Sequence, residues 1–147
     1  MALAPAVQAA SGTGGQVITG SVLSVITVTP APVTLTGMSP GSSTPASGSG
    51  LVAVTSTDCY SLSVSDAAND GYLKSGLNAF TSRLQWRNGT TGTFVDLLTA
   101  PATAAANRPV TLGATYTMNY QQPQADQNVP AGAYTTTATF TGTTSSC

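Results

Sequence analysis

Side chains able to do acid–base or nucleophilic chemistry are scarce in this chain. It has no His and no Glu, and its five acidic residues, Asp58, Asp66, Asp70, Asp96 and Asp126, fall in separate segments. Hydrolysis by a general acid and base needs titratable groups tuned by close neighbours, usually a His, a Lys or a carboxylate pair. No such set can be assembled from these residues. The chain is expected to be no enzyme and to carry no cofactor.

Three smaller constellations remain. Asp66, Asn69 and Asp70 gather oxygen-bearing side chains before Gly71, the ligand type that Ca²⁺ prefers, although the spacing is not that of an EF-hand loop. Asn-Asp-Gly is equally the ordinary chemistry of a tight turn. Trp86, with Tyr72 and Tyr120, would form a stacking platform for sugars if the rings faced solvent, whereas alternation that puts Leu84 and Trp86 on one face points to the core. Asn88-Gly89-Thr90 fits the acceptor pattern for N-glycosylation, and its Asn-Gly is also explained by a hairpin turn.

The two cysteines are Cys59 and Cys147. An even count in a Thr-rich, Lys-poor chain suggests a disulfide formed in an oxidising compartment, so a Cys59 to Cys147 bridge is expected. It would close a loop of about 90 residues, which the chain-entropy argument rates at roughly 4–5 kcal/mol.

Composition limits the partners. Charged residues make up 6% of the chain, where about a quarter is usual. Four basic and five acidic residues leave a net charge of −1, so there is no electrostatic footprint for phosphate backbones or anionic lipid, and nucleic acid is not expected as a partner. No apolar run is long enough to insert in a membrane. The opening MALAPAVQAA lacks the basic and long apolar regions of a full signal peptide, while Val7-Gln8-Ala9 resembles a cleavage-site flank. A secreted, extracellular chain on the cell surface is the expectation.

The positioning elements read as strands. Thr in alternation with apolar residues suits a pleated, half-exposed surface, and the residues that usually coat helices are few. Residues 1–15, small and polar, are expected to form a flexible arm, with a single β-sandwich domain over 16–147. From Gln16 to Thr29 apolar residues occur on both faces, with Val17, Leu23 and Val25 on one and Ile18, Val22, Ile26 and Val28 on the other, which reads as a long strand buried on two sides. Pro30 and Pro32 then force a break, shift or sheet switch. Residues 38–50 read as a loop, Leu51–Thr57 and Cys59–Ser65 as strands, and Asp66–Ser82 as an irregular stretch or short helix. Arg83–Arg87 and Thr93–Leu98 read as an antiparallel hairpin around Asn88-Gly89, and Thr115–Gln121 and Ala133–Thr143 as the closing strands. About seven to nine mostly antiparallel strands predict an all-β, two-sheet sandwich.

Three stretches carry a family likeness: Val28 to Gly41 with its Pro-rich strand and Ser-Pro-Gly turn, Cys59 to Asp66, and Val129 to Phe140, where Pro130-Ala-Gly-Ala-Tyr134 opens the last strand. Together they resemble bacterial secreted immunoglobulin-like surface domains of the fimbrial, spore-coat-U-like and WxL-like style. The duplicated Trp-x-Leu signature of true WxL domains is absent around Trp86, so no cell-wall-binding role is carried over. The resemblance implies an immunoglobulin-like fold at a surface.

The two-faced segment 16–29 suits insertion between two sheets, its own or a neighbour's. Filling a neighbour is β-strand addition, and head-to-tail repetition makes open fibres. The leading expectation is therefore a self-assembling subunit of a surface filament or pilus-like fibre whose partner is another copy of itself. The assembly residues would be Val17, Ile18, Val22, Leu23, Val25, Ile26 and Val28. The alternative is a carbohydrate-binding or adhesin module that contacts glycans or a host surface, on a cell or a virion.

Overall fold

The computed structural model describes residues 16–147; the arm expected over residues 1–15 lies outside the described residues. The strands in chain order are β1 (Ile26–Pro30), β2 (Ala46–Ser56), β3 (Cys59–Ser65), β4 (Lys74–Ser75), β5 (Asn78–Ala79), β6 (Gln85–Asn88), β7 (Val95–Asp96), β8 (Ala102–Arg108), β9 (Thr111–Gln122) and β10 (Thr139–Ser145). All pairings are antiparallel, and no helix occurs among the described residues. One sheet has the order β1-β2-β9-β6-β7 and the other β10-β3-β8, with β4 and β5 as a separate small hairpin. The protein is an all-β sandwich.

The period-2 pattern decides which side chains meet between the sheets. Tyr60, Leu62 and Val64 of β3 are fully buried while Cys59, Ser61, Ser63 and Ser65 are only partly covered. They pack against Val52 and Val54 of β2, Trp86 of β6, and Tyr116, Met118 and Tyr120 of β9. Burial of each large aliphatic chain contributes roughly 1.5–3 kcal/mol.

The hairpin expected around Asn88-Gly89 is present as β6 and β7, with Trp86 opposite Val95 and Gly89 at a φ of 75°. Three expectations are corrected. Residues 38–50 are not all loop, because β2 begins at Ala46 and runs through Ser47-Gly48-Ser49-Gly50. A Cβ on Gly48 would press on Thr34 and Val33, and one on Gly50 would overlap Val33, so these glycines clear the inner face for the segment that crosses it. Asp66–Ser82 forms turns and the β4–β5 hairpin in place of a short helix. The strand expected over Gln16–Thr29 is confined to its end, since residues 16–25 join no ladder and only Ile26–Pro30 pairs, with β2.

Cys59 and Cys147 are joined by a disulfide with a sequence separation of 88. It extends the β10–β3 ladder, whose last pair is Ser145 with Cys59, and so fixes the chain's C-terminal strand to the outset of β3. Removing both sulfurs (Cys59→Ser with Cys147→Ser) is expected to lower unfolding free energy by about 2–5 kcal/mol, checked by denaturant titration. A second expectation concerns Gly71, whose φ of 82° lies in the left-handed region and whose Cβ, if present, would overlap the Leu97 carbonyl oxygen. Gly71→Ala should cost roughly 2–4 kcal/mol in the same titration, because neither backbone can yield.

Candidate functional site

The two sheets do not close along their whole length. At the end of the sandwich where β1 starts, the outer strands β1 and β10 touch: the position of a Cβ on Gly142 is already filled by Ile26 and Val28. Beyond Pro30 the chains part. The first-strand segment continues along β2, with Ala31 N–H donating to the Leu51 carbonyl at 2.8 Å and Thr36 N–H to that of Ser47 at 2.8 Å. On the other side, residues 133–138 precede β10 and make one backbone bridge, Thr135 with Lys74. Between these walls lies an apolar groove of about 770 Å³.

Its first wall is Pro30, Pro32, Val33 and Leu35, its second Tyr134 to Ala138 and Phe140, and its floor Leu73, Leu84 and Tyr120. β1 and β10 are each outermost in their sheets, and the groove walls are the segments that continue them, with Pro30 and Phe140 at the junctions.

Polar contacts set the walls. The second is anchored by Asp66, a fully buried carboxylate that accepts from the N–H groups of Ala68 (3.2 Å), Asn69 (2.9 Å) and Gly71 (3.0 Å) and from the Thr136 hydroxyl. Tyr134 donates to the Pro130 carbonyl at 2.9 Å and meets Phe80 edge to face at 5.2 Å. This is the physical content of the Pro-Ala-Gly-Ala-Tyr stretch: the phenol ties down the turn four residues upstream. The loop bearing Met38 is organised by buried Gln124, which donates to the Gly37 and Thr44 carbonyls, each at 2.9 Å, and accepts from Ser39 N–H at 2.6 Å. Gln124 gave no sequence signal, because a Gln in a turn-rich stretch reads as solvated.

The segment ahead of β1 leaves its apolar residues uncovered. Val17, Ile18, Val22 and Leu23 are 78–88% exposed, and Val25 is 53% exposed. Thr57 fastens the arm's root: its hydroxyl accepts from Val25 N–H (2.8 Å) and donates to the Leu23 carbonyl (2.8 Å), and its N–H donates to the Val25 carbonyl (3.0 Å). Of the seven residues expected to act in assembly, Ile26 and Val28 lie in β1 and pack against their own core, while Leu23 and Val25 are tethered at the root. Val17, Ile18 and Val22 stand clear on the free part.

The other candidates fare differently. Trp86 and Tyr120 are 4% and 6% exposed, and the Tyr72 ring is covered by the Arg83 guanidinium at 4.8 Å. They form no exposed platform for sugar stacking, because the strand alternation that buries Leu84 also buries Trp86. The expected Ca²⁺ ligands are committed to hydrogen-bond donors. Asp66 is saturated as described, and Asp70 pairs with Arg83 and accepts from Thr99 N–H (2.8 Å) and hydroxyl (3.0 Å). Carboxylate oxygens whose lone pairs are taken by N–H and O–H donors have few left for a cation, and no group of three or more metal-ligating side chains occurs among the described residues. Asn88 donates its amide to the Ala104 carbonyl at 2.9 Å, a bond that a glycan there would have to release.

Two titrations follow from these surroundings. The Arg83 partner, then Thr99, draws Asp70 from the ordinary 3.8 down to about 2. A folded value below the unfolded one means this contribution to stability is whole above about pH 4 and is lost as pH falls through about 2. Burial pushes Tyr120 up to about 12, and burial followed by the Tyr116 hydrogen bond does the same for Tyr60. These raised values act in the opposite sense, so stability is held below pH 10 and falls as pH rises through about 12. Asp70→Asn should flatten the acid limb and Tyr120→Phe the alkaline limb of a plot of melting temperature against pH.

Among the described residues no helix is long and apolar enough to cross a membrane. Compared with known protein families, curated proteins and solved structures, the chain matches none.

Proposed function

We infer that this chain is an extracellular structural subunit that assembles head to tail into a surface filament by β-strand addition. The observation that carries the reading is the pairing, within one chain, of an uncovered apolar arm and an open apolar groove between two outer strands. The Cys59–Cys147 disulfide supports a role in an oxidising compartment, and the resemblance of the Pro130 to Tyr134 stretch to immunoglobulin-like surface domains points the same way. The reading assigns no catalysis.

The dimensions are compatible. The free arm, residues 16–22, and the wall of residues 132–138 each span about 23 Å if extended. The groove is closed at Gly142, and a segment lying in it with residue 16 toward Gly142 and residue 22 toward the other end runs antiparallel to the β10 wall. Main-chain hydrogen bonds to the groove walls would supply affinity, and Ile18 and Val22, which share one face of the arm, would fill the floor at roughly 1.5–3 kcal/mol each before the cost of association. An arm that leaves from one end and is received at the other makes a heterologous contact, which propagates without closing. The adhesin reading has no exposed ring platform to rest on.

The test is assembly of the purified, non-reduced full chain, by sedimentation and negative-stain microscopy. Polymers are expected from the natural sequence. Ile18→Asp should leave dispersed monomers whose melting is unchanged within about 0.5 kcal/mol, since the side chain is exposed in the free subunit. A natural chain that stays monomeric at high concentration, or an Ile18→Asp chain that polymerises equally, would sink the reading.

A further inference from the structure

At the end of the sandwich where the arm leaves, a second apolar hollow of about 290 Å³ is lined by Val22, Val25, Val110 and Leu112 around Thr57. Leu112 is 94% and Val110 52% exposed. Both flank the start of β9, where Thr111 pairs with Ser56, and neither has a core to serve. Singly exposed apolar residues are ordinary, but these surround the root of the arm.

The tether at Thr57 says what must cover them. Because Leu23 and Val25 are hydrogen-bonded to the body, no spacer separates the free arm from the sandwich. If residues 16–22 of one copy occupy the groove of the next, the arm root is drawn against the open end of that groove. That end carries its own exposed apolar groups. Met38 sits on the groove's first wall at 38% exposure, and Leu77 is fully exposed at the tip of the β4–β5 hairpin. The hairpin stands at this end: Thr135 bridges Lys74, and Ser75 lies against Gly132, another groove residue.

We propose that the apolar surface left at the arm root by Val25, Val110 and Leu112, once residues 16–22 have entered the groove, is a second docking surface, occupied by the Met38 and Leu77 rim of the next copy's groove. This rests on the strand-addition reading and adds to it a partner surface outside the groove. The arm then supplies attachment, and this surface fixes the angle between successive subunits and slows their release.

The full chain carries the test, with the critical concentration for assembly as readout. Leu112→Asp, fully folded by its melting curve, should still assemble through its arm but at a critical concentration raised about tenfold. Adding Leu77→Lys to the same chain puts opposite charges in facing positions and should bring the value back to within a few-fold of the natural chain, whereas Leu77→Lys alone should raise it. An unchanged critical concentration for Leu112→Asp, or no recovery in the double variant, overturns the docking surface while leaving strand addition intact. An Ile18→Asp chain that assembles normally overturns strand addition itself, and the docking surface with it.

Discussion

β1 and β10 are the outer strands of opposite sheets, and they meet at Ile26, Val28 and Gly142 but part beyond Pro30. Where they meet, Gly142 has no side chain and Ile26 and Val28 occupy its place, so the sheets seal. Where Pro30 and Pro32 interrupt the first-strand segment, it turns inward over Gly48 and Gly50, and its partner across the gap recedes toward the β4–β5 hairpin. The groove follows from that one divergence. A sandwich sealed throughout would have no vacancy for another strand, and one open throughout would lose the contacts that hold its first and last strands.

The parts of the fold legible in the amino-acid sequence are those whose cause is local. The alternation of Tyr60, Leu62 and Val64 with serines revealed β3 because burial on one face only leaves a period of two. Asn88-Gly89 announced its hairpin because a left-handed glycine is a local requirement, and the cysteine pair announced its bond. β8 left no such trace, since Ala102 to Arg108 is mostly alanine, which has little preference for a strand. The first half of β2 was hidden because Ser-Gly repeats look like linker when their reason is a chain crossing overhead.

The candidate site was half legible. Apolar residues on both faces of residues 17–28 marked a segment that wants cover on two sides, and the arm does lack cover in its own subunit. The groove could not be read, because its walls are long-range neighbours, residues 30–38 and 132–140, joined by no pattern in sequence. Nor could the commitments of Asp66, Asp70 and Gln124 be foreseen, since a turn carboxylate looks the same whether it faces water, a cation or a ring of amides.

The disulfide gives the molecule a mechanical property. Because Cys147 is bonded to Cys59, residues 59–147 form a covalent ring that contains β3 to β10. A pull applied between the arm and Cys147 bypasses that ring and falls on β1, β2 and the loops between them. Those strands can yield, but the ring cannot be drawn out. Under a pull between those two points the extension is limited to the residues ahead of Cys59, and β3 to β10 stay out of the line of force.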